Sequence, residues 1–285
     1  MIKEILAGAL VPDSSQSAPS TWTAALAIFV ILTFGWTWGM WAILALLPER
    51  QSGVGTALML ASAFGPSLAG LVTVALFDGG LGLRRWLQRC LVWRLGWGWY
   101  AIATLAPLTT MMLALFLHAA FGGIVPASPA TGSLWISLVI VAQILVLGGP
   151  LGEEFGWRGY ALPALAQRIG WRGASLALGA VWALWHLPLF WMPGTAQAAL
   201  PMWPFLAGTV ALSVLFARLA VNTRYSVLPA ILLHGAINAG SWAIPVTPQG
   251  GEQQPYLIVT GILLVSALCC LIKPGPAQAR GSDRQ

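Results

Sequence analysis

The sequence predicts an all-α fold, a polytopic bundle of about eight transmembrane helices. Charged residues are only 8% of the 285 residues, hydrophobic residues are 58%, and the mean hydropathy is +0.79. An average soluble domain carries roughly 25% charged residues, and a surface in water cannot be covered with so few. Apolar runs of about 20 residues, the length that crosses a bilayer, recur along the chain, and basic residues fall in every second gap between them. All spans are helices, because an open sheet edge cannot sit in lipid. A soluble enzyme and a disordered chain are excluded.

In chain order, residues 1–21 read as a loose N-terminal tail. Its short apolar patch, stopped at Pro12-Asp13, does not make a signal peptide. A single membrane domain follows at 22–273, with candidate spans at 22–47, 54–77, 99–121, 134–166, 173–192, 204–221, 226–244 and 256–272. The fourth is interrupted by glycines, a proline and charges. Residues 274–285 form the C-terminal tail.

The gaps orient these spans. Arg84, Arg85, Arg89 and Arg94 lie between spans two and three; Arg158, Arg168 and Arg172 lie at the end of span four and beyond it. Arg218 lies at the end of span six and Arg224 after it, and Lys273, Arg280 and Arg284 follow span eight. With Lys3, 13 of the 14 basic residues fall on one side and only Arg50 on the other. Positive charge stays inside, so both termini are expected in the cytoplasm of a bacterial inner membrane. The net charge of +6 is then an orienting charge rather than a nucleic-acid footprint, and the expected partners are lipid and a peptide or membrane-protein substrate. Cys90, Cys269 and Cys270 come out near the reducing face and make no disulfide framework. The 16 tryptophans suit the lipid–water boundary. Residues 81–99 interleave arginines with Leu83, Trp86, Leu87, Leu91, Val92 and Trp93. That stretch reads equally as a helix lying in the interface or as an orienting loop.

Charges inside span four need an explanation. Glu153, Glu154 and Arg158 interrupt it, and each costs roughly 2.5–3.5 kcal/mol at a helix centre. Glu154 and Arg158 are four apart and pair on one helix face. Glu153 is left pointing about 100° round the helix. His186 lies in span five; His234 and Asn238, also four apart, lie in span seven. At about 1.5 Å per residue, Glu153 lies roughly 22 Å from Arg168, His186 roughly 21 Å from Arg172 and Asn238 roughly 21 Å from Arg224, with His234 about 6 Å shallower. Three helices therefore bring polar residues to one layer. His118, in span three, has no polar company in the sequence and reads as structural.

One carboxylate, two imidazoles and an amide in a wet pocket suit hydrolysis by an activated water. A divalent metal, zinc for example, held by Glu153, Glu154, His186 and His234 is the alternative source of that water. There is no His-Glu-x-x-His helix, so such a site would be assembled between helices.

Glu153-Glu154-x-x-x-Arg158, then Trp182-x-x-x-His186, then His234-x-x-x-Asn238, resemble the CPBP family. These are the CAAX-protease and bacteriocin-processing intramembrane proteases, also called the ABI family. The resemblance covers residues 134–240. It implies an eight-helix bundle with a site open to the cytoplasm. It implies that Glu153 and His186 activate water, that His234 and Asn238 stabilise the oxyanion, and that Glu154 and Arg158 support them. Trp182 stands where the family motif usually has Phe, and its ring is expected beside the site. The resemblance also leaves open a non-catalytic bacteriocin-immunity or scaffold protein. From the residues alone, a proton-coupled transporter is a further alternative, disfavoured by the lack of inverted repeats.

Overall fold

In the computed structural model the described residues are 19–48, 52–128, 134–147, 149–249 and 251–273. Residues 1–18 and the C-terminal tail lie outside them. The chain is a helical bundle: α1 (Pro19–Leu46), α2 (Gly53–Ser62), α3 (Gly65–Cys90), α4 (Trp97–Ala120), α5 (Leu134–Leu147), α6 (Pro150–Gly156), α7 (Leu162–His186), α8 (Met202–Asn222), α9 (Leu228–Ala243) and α10 (Gln254–Ile272). A π-helical turn, Trp157–Ala161, joins α6 to α7. Among the described residues, the only β feature is one bridge between Gln249 and Glu252.

Among the described residues, six helical stretches are long and apolar enough to cross a membrane. One of them, Trp135–Trp191, holds both the fourth and the fifth expected spans, which separate at a kink where Gly170 has φ 69°. The seventh expected span is α9, at 16 residues. The second expected span is displaced. Residues 53–62 form the separate α2, capped by Ser52, and the long helix is α3. α3 runs past the expected end at residue 77, kinks at Gly79 (φ 64°), and takes in half of the 81–99 stretch before it stops at Cys90.

The bundle has a largely apolar core with polar residues buried in it, and its outside is apolar too. Ile31 is 67% exposed and Leu46 84%, whereas Thr33, Thr37, Thr73, His118 and Glu154 are fully buried. That distribution suits lipid as the surrounding medium. Buried helix ends find side-chain partners. The α2–α3 break leaves carbonyls without helical donors. The indole of Trp36 donates to the Ala61 carbonyl at 2.9 Å, and the Thr37 hydroxyl to that of Ser62 at 2.9 Å. His118 is not isolated, as the sequence suggested. Its Nδ1 meets Gln254 Oε1 at 2.7 Å and its Nε2 the Ile124 carbonyl at 3.1 Å, which ties α4 to the start of α10. Those partners come from outside its helix, so no local pattern announces them.

α6 is the element the rest surrounds. It packs on α3, α5 and α9, while α7 packs on α8. Gly152 and Gly156 face the α2–α3 break. A Cβ on Gly152 would strike the Ala63 carbonyl, and one on Gly156 the Pro66 carbonyl. Small residues one turn apart let the two backbones touch. This close approach seats Glu153 and Glu154 deep in the bundle.

Candidate active site

The layer begins at the break between α5 and α6. Gly149 has φ 110°, a conformation that favours glycine, and Pro150 opens α6 at its first turn, where a missing N–H costs nothing. The carboxylates of Glu153 and Glu154 leave α6 in different directions, as their spacing predicts.

Glu154 is fully buried and one of its oxygens takes two donors. Arg158 Nη1 donates to Oε1 at 2.9 Å and His234 Nδ1 to the same oxygen at 2.8 Å. The Arg158 guanidinium lies between two aromatic faces, 4.1 Å from the Trp182 ring centre and 3.9 Å from that of Phe216. Cation–π contact replaces part of the hydration lost by this buried cation. Arg158 sits in the π-helical turn, whose i→i+5 bond runs from the Leu162 N–H to the Trp157 carbonyl. Such single turns widen a helix locally and are frequent at functional sites.

Glu153 has another partner. Its Oε2 accepts from the Trp182 indole N–H at 2.8 Å. Its Oε1 lies 2.8 Å from where a Cβ on Gly149 would stand, and His234 Nε2 lies 3.7 Å from the same point. The absent side chain of Gly149 thus lets a carboxylate oxygen and an imidazole nitrogen approach this backbone turn. His186, one turn beyond Trp182, donates through Nδ1 to the Trp182 carbonyl at 2.8 Å, so its Nε2 is the nitrogen left for chemistry. The rings of His186 and His234 stand 5.7 and 5.8 Å from that of Trp182, so both imidazoles neighbour one indole. Asn238 lies half-buried one turn beyond His234 on α9.

The structure therefore brings Glu153, Glu154, Arg158, Trp182, His186 and His234 together from three helices. Sequence reasoning missed two contacts. Phe216 comes from α8, 58 residues after Arg158, and nothing in its neighbourhood marks it. The Trp182 N–H was legible in principle, because a buried indole needs an acceptor. Its ring does pack beside the site, but the N–H holds Glu153, which a Phe there could not do.

Glu153, Glu154, His186 and His234, the alternative metal set, divide their contacts among protein partners. Among the described residues no three His, Cys, Asp or Glu side chains gather as a metal ion requires. Glu154 Oε1 and Glu153 Oε2 are already engaged by N–H donors.

Comparison with known proteins agrees with the motifs. Residues 134–240 match the family model described as type II CAAX prenyl endopeptidase Rce1-like. The matched stretch contains every residue of the buried layer, none of which comes from α1–α4. A CAAX prenyl protease 2 from Methanococcus maripaludis is 27% identical over 169 residues, 57% of this chain and 60% of that protein. The chain thus spans less than two thirds of the relative's length. Both comparisons bear out the resemblance to CPBP-family intramembrane proteases.

Glu154→Gln should lower the melting temperature in detergent, because it leaves Arg158 charged and unpaired, a loss of roughly 3–5 kcal/mol for a buried pair. Adding Arg158→Gln to that variant should recover part of the loss. A single variant as stable as the wild type would show that the pair does not hold the layer.

Proposed function

We propose that the chain is an intramembrane endopeptidase that hydrolyses a peptide bond with a water activated by Glu153 and His186. The carrying observation is the division of labour between adjacent carboxylates. Glu154 is held by Arg158 and His234, whereas Glu153 is held by the Trp182 indole through Oε2 and its Oε1 lies against Gly149 on the side of His234 Nε2.

Glu153, removed from bulk water, takes a proton from the water as it attacks the carbonyl carbon. His186, oriented by the Trp182 carbonyl, holds that water through Nε2. The carbonyl electrons move onto oxygen. That oxyanion is stabilised by the imidazole of His234, whose Nδ1 is held by Glu154, and accepts from the Asn238 amide. The proton on Glu153 then passes to the leaving nitrogen as the C–N bond breaks. No step runs through a metal.

The substrate is a peptide or a membrane protein. The site opens to the cytoplasm of a bacterial inner membrane and both termini are cytoplasmic, readings supported by the 13-to-1 distribution of basic residues. A bacteriocin-immunity role is compatible with the same chemistry. Mapping of C-terminal peptides in the membrane proteome, wild type against Glu153→Ala, identifies the substrate. Identical maps, together with no turnover of any peptide by the purified protein, would leave a non-catalytic scaffold.

Glu153→Gln should fold and bind substrate yet lose at least about 10²-fold in turnover, the low end for a general base. His186→Ala and His234→Ala should each lose orders of magnitude, while His118→Ala lowers melting temperature without changing turnover of the folded protein. Normal turnover in Glu153→Gln removes Glu153 as the base.

Trp182→Phe keeps a ring over Arg158 but removes the donor to Glu153. A hydrogen bond to a charged group is worth roughly 1.5–3 kcal/mol, so kcat should fall about tenfold or more at similar KM. An unchanged kcat would mean that the indole N–H does not orient the base.

Reporter fusions after residues 90, 170 and 224 should read cytoplasmic, and those near 50, 128, 198 and 250 external. An external signal at 90 inverts the orientation.

A further inference from the structure

The arginine-rich stretch 80–97 lies outside the matched residues and takes no part in the chemistry above. It has two faces. On the inner face Trp86 and Cys90 are buried. The Trp86 indole donates to the Gly159 carbonyl at 3.0 Å, and Arg89 Nη2 donates to the same oxygen. Gly159 follows Arg158 in the π-helical turn. Beyond the helix end, the Cys90 carbonyl accepts from the Val227 N–H at 2.9 Å, and the Val92 carbonyl from the Ser226 hydroxyl at 2.7 Å. Val227 immediately precedes α9, which carries His234. One segment thus grips both the turn that presents Arg158 and the start of the helix that presents His234.

The outer face is different. Leu81, Arg84, Arg85, Gln88 and Leu91 are exposed and follow helical spacing, so they share one side. Leu81 is 71% exposed, and Trp97, just past the segment's end turn, 86%. Leu83 and Leu87 join that side to line a groove of about 340 Å³ with Gly80, Arg84, Gln88 and Leu91. Asp78 is the sole acidic residue between positions 53 and 152. Among the described residues neither Arg84 nor Arg85 has an ion-pair partner.

We propose that this outer face binds anionic phospholipid, with the headgroup phosphate between Arg84 and Arg85 and acyl carbons along the leucine groove. Uncompensated arginines select a negative headgroup. Leucines and tryptophans interleaved with them select a lipid surface over a soluble anion. Because the inner face of the same helix holds Gly159 and the outer face holds the lipid, binding restrains the site. That last consequence rests on the peptidase reading; the binding does not.

The test uses the full-length protein in detergent. Its melting temperature is measured with phosphatidylglycerol, with phosphatidylcholine and with inorganic phosphate. Three forms are compared: wild type, Arg84→Ala with Arg85→Ala, and Arg84→Lys with Arg85→Lys. Phosphatidylglycerol should raise the wild-type melting temperature by several degrees, and the shift should shrink with added salt. The lysine form should keep most of the shift and the alanine form should lose it. Equal shifts with phosphatidylcholine, an equal shift with phosphate alone, or a full shift in the alanine form would each overturn the proposal. Turnover in nanodiscs of the two lipids then reads the coupling. A melting shift with identical turnover removes the coupling and leaves the binding. Absence of turnover in every form counts against the peptidase reading alone, since the melting shift is scored without it.

Discussion

The arrangement depends on one oxygen. Glu154 Oε1 accepts from Arg158 within its own helical segment and from His234 on another. A buried guanidinium is tolerated only beside a carboxylate, and a buried carboxylate only with donors. Each group therefore makes the others affordable in a medium that offers no water. The aromatic faces of Trp182 and Phe216 enclose the cation and leave it no other place. With Glu154 committed through Oε1 to both the cation and the imidazole, its neighbour Glu153 is left to the Trp182 indole and the space beside Gly149.

The backbone provides for this at three places where a helix stops being regular. The turn at Gly149-Pro150, with no side chain on Gly149, lets the Glu153 carboxylate pack against it. The contacts of Gly152 and Gly156 with the α2–α3 break bring α6 into the centre of the bundle. The π-helical turn frees the Gly159 carbonyl for donors from α3. In lipid an irregular backbone is viable only where protein groups satisfy it. Here Trp36, Thr37, Trp86 and Arg89 do so, and the same bonds fix the geometry of the charged layer.

Three-fold convergence on Trp182 follows from the same economy of donors. Its carbonyl orients His186, its indole N–H holds Glu153, and its ring covers Arg158. A residue with the aromatic face alone would fill the same volume with one of those functions missing. The difference between Trp and Phe at this position is therefore chemical as well as steric.

Composition and periodicity alone determined the helical membrane architecture, because apolar length and the scarcity of charge have few other physical solutions. The four-residue spacings of Glu154 with Arg158 and of His234 with Asn238 were legible for the same reason: helical geometry is local. The common depth of Glu153, His186 and Asn238 could be counted in residues from the flanking arginines. The tertiary structure decided what lies between helices. Which oxygen of Glu154 meets His234, that Phe216 closes over Arg158, that His118 finds Gln254, and that Trp86 and Arg89 reach Gly159 all depend on pairs 57 or more residues apart. No repeat along the chain encodes such pairs. They arise because buried donors and acceptors must find one another, and only the packed bundle determines which are within reach.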